Sequence, residues 1–246
     1  MRRPGRAAWG GGEPVLVKVC GITSETDAMV ALGLGANALG FIFAPSPRQV
    51  SVRAVQQIVD RLPRGEAMTV GVFRDELPNR VVEIVNTLGL RAAQLHGHET
   101  AAQTAWVAER VPFTIRALPA GHPEIARAVS HGASAVLVDS ASPGSGRVFD
   151  WRLAEGVVDP GRLIVSGGLN AGNVADAVAH LRPYGVDVCS GVEAEPGRKD
   201  PQKVRAFVVA ARQAALAAGL DDDTAGSSDA TGDDADGRPF DWQEQA

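Results

Sequence analysis

Short apolar segments recur along this chain at nearly regular intervals, and this repetition restricts the fold more than any other feature. Eight such segments have the composition of strands that are buried on both faces. Eight strand–helix units over roughly 200 residues predict one α/β domain with the (β/α)8 barrel (TIM barrel) fold. A doubly wound open sheet is the alternative, but it usually has fewer units and often a GxGxxG turn where this chain has CGIT. The predicted strands start near residues 15, 38, 67, 91, 112, 135, 162 and 185.

Both ends of the chain lie outside this repeating pattern. Residues 1–14 are rich in Gly and Arg, and residues 220–246 are acidic and of low complexity, so we expect both to be disordered. The barrel domain is therefore predicted for residues 15–219. Residues 220–246 carry more negative charge than the whole chain, whose net charge is −5. The rest of the chain is therefore mildly basic. That balance suits an anionic small molecule, whereas a nucleic-acid partner would call for a much stronger basic patch.

The cysteine count and the hydropathy pattern indicate the compartment. The chain has two cysteines, without a CxxC motif or metal-type spacing, which favours a reducing compartment and predicts no metal site. No apolar run approaches the roughly 20 residues that span a membrane, and the N-terminal arginines precede no hydrophobic region of a secretory signal. We therefore expect a cytoplasmic protein without a membrane partner.

In a (β/α)8 barrel the functional residues lie at the carboxyl ends of the strands, where this chain places several reactive side chains. Cys20 ends the first predicted strand and is either an inert core thiol or a general base. Lys18, two residues earlier, points to the same side of the strand and could lower the pKa of this thiol from about 8.5. Asp139 ends the sixth strand, where a carboxyl group is either a proton donor or a group that orders the loop. We expect Cys20 and Asp139 to face the same cavity.

Four further polar residues near strand ends are candidates for ligand contacts or for structural roles. Arg48, in a loop braced by prolines, could hold a carboxylate with two hydrogen bonds, or it could be a solvated surface residue. His96 follows the fourth strand and either faces the ligand or has a structural role. Asp187 lies between valines in the eighth strand, so it requires a partner, either the substrate or a cation of the protein. Cys189 faces the same side as Asp187, and we predict a packing role for it.

Two glycine-rich loops follow the seventh and eighth strands. In this fold these positions often bind phosphate, because glycine allows backbone N–H groups to approach the oxygens closely. The alternative is that they are ordinary turn glycines. The pair of loops favours a phosphorylated ligand, and the residues concerned are Gly167, Gly168, Ser190, Gly191 and Val192.

Taken together, these segments resemble the phosphoribosylanthranilate isomerase family, the (β/α)8 isomerases of tryptophan biosynthesis. The resemblance runs from about residue 15 to residue 217, in order and in register with the predicted strands. No one motif is decisive, but the set is highly specific. The matching segments are KVCGIT (18–23), GFIFAPSPRQV (40–50), GVF (71–73), QLHGHE (94–99), VLVD (136–139), GSGRVFDW (144–151), SGGLNAGNV (166–174) and VDVCSGVEAEPGRKD (186–200).

The resemblance implies a cofactor-independent Amadori rearrangement of N-(5-phosphoribosyl)anthranilate. It implies that Asp139 is the general acid and that Cys20 is the general base. By the same resemblance, Arg48 would hold the anthranilate carboxylate and Asp187 would lie near the amine. The loop containing Gly144 and Gly146 would join the two glycine-rich loops in binding phosphate. Family members occur as monomers and homodimers, so either state is expected.

The chain departs from the family pattern at a few positions, none of them a proposed catalytic group. Cys189 stands where the family commonly has Ser, and Pro143 stands where another Gly is usual. Ala171 and Gly172 replace a frequent Pro-Glu pair, which weakens the expected start of the following helix.

Three other functions remain open at this stage. The first is a related isomerase of histidine biosynthesis, or an isomerase that accepts both substrates. Such enzymes have a similar fold but use a carboxylate at the end of the first strand, where this chain has Cys20. A barrel could also bind phosphorylated ligands without turnover, or the acidic segment at residues 220–246 could act as an interaction motif.

Overall fold

The computed structural model describes residues 14–140, 150–156 and 159–220, and within them eight parallel strands close into a barrel. Each strand pairs with the next along the chain, and the eighth pairs with the first. The predicted (β/α)8 fold is thus confirmed. The strands are β1 (Leu16–Cys20), β2 (Ala38–Ile42), β3 (Met68–Phe73), β4 (Ala92–Leu95), β5 (Thr114–Pro119), β6 (Ala135–Asp139), β7 (Leu163–Val165) and β8 (Gly185–Val188).

Among the described residues, α-helices follow six of the eight strands. The connection between β5 and β6 instead contains a short 3₁₀ helix, Ile125–Arg127. The described part of the connection between β6 and β7 contains two, Trp151–Ala154 and Pro160–Arg162. The sequence also predicts a helix from about residue 123 to residue 130 and a short helix from Trp151; the first is reduced to a 3₁₀ turn at Ile125–Arg127, and the second is a single 3₁₀ turn. The α-helices are α1 (Glu25–Gly33), α2 (Val52–Val59), α3 (Pro78–Thr87), α4 (Ala101–Ala108), α5 (Val174–Leu181) and α6 (Pro201–Ala217).

Local sequence explains where several helices begin. Ser24 and Ser51 accept hydrogen bonds from backbone N–H groups in the first turns of α1 and α2. Asp200 does the same for α6, and Pro201 occupies its first position, as the sequence predicts. By contrast α5 begins at Val174 rather than near residue 171, without a side-chain cap from Asn173. The missing Pro-Glu pair is consistent with this later start.

Two apolar layers hold the barrel together. A large cluster fills the space between the strands and the surrounding helices, and a smaller one fills the barrel interior. Cys20 belongs to the interior cluster, and Cys189 packs against it. The alternation of side chains along a strand therefore directs both thiols inward, towards the axis of the barrel.

A small antiparallel hairpin follows β8 and was not predicted. It consists of β9 (Glu193–Glu195) and β10 (Arg198–Lys199), with Gly197 in the turn at a φ of +84°. Of the residues described, none forms a helix both long enough and apolar enough to cross a membrane. The segments predicted to be disordered are residues 1–14 and 220–246, and apart from Pro14 and Leu220 they lie outside the described residues.

Candidate active site

A cavity of about 870 Å³ opens at the carboxyl ends of the strands, and it gathers nearly all of the predicted site residues that the structure describes. Cys20 and Asp139 both line it, so the expectation that they face the same cavity is met. The other predicted residues along its wall are Arg48, His96, Gly167, Gly168, Asp187 and Ser190. Cys189, predicted only to pack, lines the cavity as well.

Four predicted phosphate-binding residues are not among those described along this wall. Gly144 and Gly146 lie outside the described residues. Val192 is fully buried, and Gly191 packs so closely against the loop after β7 that an added Cβ would lie 2.0 Å from the carbonyl oxygen of Leu169. Gly191 is therefore required by the packing of two loops against each other, whether or not it also binds phosphate.

A buried ion pair lies beneath the thiol of Cys20. Nζ of Lys18, which is fully buried, donates a hydrogen bond of 2.8 Å to Oδ1 of Asp187, and Ser166 Oγ donates to Oδ2 at 3.3 Å. The partner that the sequence requires for Asp187 is thus a cation of the protein. Burial alone would lower the pKa of Lys18, but the carboxylate of Asp187 and the neighbouring Cys20 raise it, so the ammonium stays charged.

The thiol of Cys20 is unusually acidic. A hydrogen bond with the Cys189 thiol lowers the pKa of Cys20 to about 6; burial opposes the shift, and the positive charge of Lys18 adds to it. The same hydrogen bond, together with burial, raises the pKa of Cys189 well above its ordinary value. The shared hydrogen bond therefore makes Cys20 the more acidic of the two thiols and the first to become a thiolate.

The carboxyl group of Asp139 is held in place by its neighbours. Its Oδ1 accepts a hydrogen bond of 2.6 Å from the N–H of Ser140. Gly167 packs against it with a φ of +80°, and a Cβ at that position would lie 2.6 Å from Ser140 N and 2.9 Å from Asp139 Oδ1. Glycine is thus needed here both for the backbone conformation and for the close approach.

His96 connects Asp139 to a buried amide. Its Nε2 lies 3.4 Å from Asp139 Oδ2, and across the described parts of the chain it makes no hydrogen bond. Its Nδ1 lies 3.1 Å from Nε2 of Gln94, whose side chain is almost fully buried. If the amide donates this bond, the ring proton is on Nε2 and faces the carboxyl group. Gln94 precedes the strand end by one residue, and its inward direction was not used in the sequence analysis.

Arg48 already has a carboxylate partner. Its Nε and Nη2 donate hydrogen bonds of 2.7 Å each to the two oxygens of Glu193, and Lys199 Nζ donates to Glu193 Oε1 at 3.0 Å. Burial would raise the pKa of Glu193, but its hydrogen bond with Arg48 and the charge of Lys199 lower it, so it stays ionised. The surface interpretation of Arg48 is wrong, because its side chain is only 12% exposed. One edge of the guanidinium is occupied, and its other edge carries the remaining donors.

Glu193 and Lys199 were missed in the sequence because both lie in the unpredicted hairpin. Lys199 Nζ also donates to the carbonyl oxygen of Cys189 at 3.2 Å and lies 4.0 Å from its Sγ, so the hairpin links Arg48 to Cys189. In the described residues there is no group of three or more His, Cys, Asp or Glu side chains that could hold a metal ion.

A closed barrel with reactive side chains gathered at the carboxyl ends of its strands defines the class of (β/α)8-barrel enzymes. Residues 17–210 match the family model for N-(5'phosphoribosyl)anthranilate (PRA) isomerase. The chain belongs to this family, as the sequence motifs indicated.

Individual relatives agree with the family model. The N-(5'-phosphoribosyl)anthranilate isomerase of Desulforudis audaxviator is 45% identical over 206 residues, which cover 81% of this chain and 98% of that protein. A crystal structure of phosphoribosyl anthranilate isomerase in complex with reduced 1-(o-carboxyphenylamino)-1-deoxyribulose 5-phosphate is 36% identical. It has a TM-score of 0.71 and covers 81% of this chain and 99% of its own. Monomers generated from the dimeric Thermotoga maritima enzyme are 34% identical, with a TM-score of 0.70 and coverage of 81% and 99%.

Proposed function

We propose that this protein catalyses the Amadori rearrangement of N-(5-phosphoribosyl)anthranilate to 1-(2-carboxyphenylamino)-1-deoxyribulose 5-phosphate, a step of tryptophan biosynthesis. The observation that carries the proposal is that an acidic thiol, Cys20, and a carboxyl group, Asp139, line one cavity of a barrel belonging to this family. The reaction requires one acid and one base around a single sugar.

Asp139 acts first, as the general acid. It gives a proton to the ring oxygen of the ribose, the bond between that oxygen and C1′ breaks, and the anthranilate nitrogen supplies the electron pair that forms a Schiff base. The resulting carboxylate keeps its hydrogen bond from Ser140, and His96 Nε2 lies 3.4 Å from its other oxygen.

Cys20 then acts as the general base. Its thiolate takes the proton from C2′, and the electrons of the broken C–H bond neutralise the Schiff base to give an enolamine, which tautomerises to the ketone. C1′ is reduced and C2′ is oxidised within the same molecule, so the reaction is an intramolecular oxidoreduction that needs no external electron carrier. A thiol pKa of about 6 keeps Cys20 in its basic form at neutral pH.

The remaining site residues anchor the substrate. In this proposal Arg48 binds the anthranilate carboxylate through the guanidinium edge that Glu193 leaves open, and Asp187 lies near the amine. His96 lines the sugar site beside Asp139. The phosphate is bound by backbone N–H groups of Gly167, Gly168 and the loop of Ser190, Gly191 and Val192, together with the loop of Gly144 and Gly146.

The same proposal sets the partners and the compartment. The ligand is a small phosphorylated molecule and not a nucleic acid, and the protein works in the cytoplasm as a monomer or homodimer. A dimeric relative supports the second of these states. Sedimentation of the full chain would separate the two.

A fluorescence assay that follows the loss of phosphoribosylanthranilate tests the proposed function. Purified protein is expected to consume this substrate, and the Cys20→Ala variant is expected to be at least about 10²-fold slower. Turnover of the aminoimidazole substrate of histidine biosynthesis instead would favour the related isomerase. Ligand-induced stabilisation without any product would favour a binding protein.

A further inference from the structure

The two cysteines of the chain are neighbours at the mouth of the barrel. Cys20 ends β1, and Cys189 directly follows β8. The register pairs Val19 with Val188, so the next position in register places Cys20 beside Cys189. Neighbouring strands lie about 4.8 Å apart, within the Cα separation of about 4.4–6.8 Å that a disulfide requires.

The two sulfur atoms lie on the same side and have room to meet. Both side chains face the barrel interior, and the thiols hydrogen-bond each other. Gly40 lies beside Cys20, and a Cβ there would lie 2.7 Å from its sulfur; a Cβ on Gly21 would lie 3.0 Å from the sulfur of Cys189. Because both positions are glycines, neither one adds a side chain beside the sulfurs.

The two thiols differ in reactivity and share access to small molecules. Cys20 has the lowered pKa, and Cys189 retains its proton. A thiolate reacts with peroxides far faster than a thiol does, and a protonated cysteine beside it can resolve the oxidised product. Both residues line the cavity, so a molecule as small as hydrogen peroxide can reach them there.

We propose that Cys20 and Cys189 form a thiol-oxidation site, in which a hydroperoxide converts the pair to an intramolecular disulfide. The Cys20 sulfur attacks one peroxide oxygen, the O–O bond breaks, and the departing alkoxide or hydroxide takes a proton from solvent. The sulfur is oxidised by two electrons to a sulfenic acid, and the peroxide is reduced. The Cys189 sulfur then attacks that of Cys20, the S–O bond breaks, and the oxygen leaves as water with the proton of Cys189.

This site lies beyond the isomerisation itself, but it acts on the same thiol. The disulfide removes the thiolate of Cys20 and therefore stops the reaction that needs it as a base, and a dithiol reductant restores both thiols. A serine at this position could not form the bond, so the property depends on the thiol of Cys189.

Mass spectrometry of the intact protein tests the proposal without relying on catalysis. The reduced full-length protein is exposed to a small excess of hydrogen peroxide near pH 7, denatured and treated with a maleimide. The reduced chain takes up two labels, one for each cysteine. After peroxide we expect no label, a mass lower by two hydrogen atoms, a monomer on a non-reducing gel, and recovery of both labels with dithiothreitol.

The Cys189→Ser variant is the matched control, and Cys189→Ala replaces it if the serine variant does not fold. Without the second thiol we expect Cys20 to gain oxygen atoms and to become resistant to dithiothreitol as oxidation continues. The proposal is overturned if the unmodified chain keeps both labels, gains oxygen as the variant does, or forms only disulfides between chains. If the mass changes as expected in a protein without isomerase activity, the oxidation site stands and the proposed function fails.

Discussion

Lys18 and Asp187 form a buried ion pair across the seam between β1 and β8, with 2.8 Å between Nζ and Oδ1. The register places the two residues directly opposite each other. Both charges lie inside the barrel, beneath the thiol of Cys20. The pair therefore affects both the stability of the fold and the electrostatics around that thiol. It fixes two charges that could not be left alone in this core, and it supplies a cation whose charge lowers the pKa of the proposed base.

The first prediction concerns this ion pair and the stability of the barrel. Lys18→Met leaves the carboxylate of Asp187 buried without its cation, so we expect the free energy of unfolding to fall by about 3–5 kcal/mol. Urea denaturation measures it. The double variant Lys18→Met/Asp187→Leu, which removes both charges, should regain most of the loss. A single variant within about 1 kcal/mol of the parent protein would contradict the importance of the pair.

The second prediction concerns pH. A general base must be deprotonated, so kcat/KM should rise with pH through the pKa of Cys20, about 6, and reach its plateau well below the usual thiol range. Cys189→Ala removes the hydrogen bond to the thiolate and should move this rise to higher pH. Cys189→Ser keeps a donor and should move it less. Identical profiles for all three proteins would refute the influence of Cys189.

The third prediction concerns Arg48 and its partner Glu193. Arg48→Ala should mainly raise KM, because an anchoring contact for the anthranilate carboxylate is lost in the ground state as well as in the transition state. Glu193→Gln is the matched control. It keeps the guanidinium of Arg48 but weakens the charge-assisted hydrogen bonds that orient it, so we expect a smaller rise in KM. Steady-state kinetics measures both, and an unchanged KM for Arg48→Ala counts against the carboxylate contact.

The fourth prediction concerns Gln94, which we expect to position His96 beside Asp139. Gln94→Leu removes the bond to Nδ1 and should lower kcat by up to about tenfold, the worth of one hydrogen bond, with little change in KM. Gln94→Glu keeps the shape but accepts a hydrogen bond from an Nδ1–H group, which leaves the lone pair of Nε2 facing Asp139. This isosteric variant should be impaired as well; activity equal to that of the parent protein would show that the tautomer of His96 does not matter.

The strands were predictable because they are buried on both faces and therefore read as continuous apolar segments. The predicted starts of β2, β6 and β8 coincide with the observed ones, and the other five lie within two residues of them. The connection between β5 and β6 was not predictable in the same way. Only a few of its residues, among them Ile125 and Ala128, are buried, so little apolar surface holds that segment as a longer helix.

The sequence predicts which residues belong to the site, but it does not predict the contacts between them. Strand ends gave Cys20, Asp139 and Asp187, because chain order and side-chain alternation fix where such residues point. The bond between Arg48 and Glu193 joins residues 145 apart in the sequence, one in the loop after β2 and the other in the hairpin after β8, and no local pattern encodes it. The burial of Asp187 signalled that it needed a partner, but only the register of β1 against β8 identified that partner as Lys18.

The central claim is that Cys20 and Asp139 act as base and acid on one bound sugar phosphate, and single-site kinetics tests it most directly. We measure kcat for the conversion of phosphoribosylanthranilate by Cys20→Ala and by Asp139→Ala, with the fold of each variant verified by circular dichroism. We predict that each variant loses at least about 10²-fold in kcat. A correctly folded variant that turns over at nearly the parental rate would contradict the role of the residue it lacks.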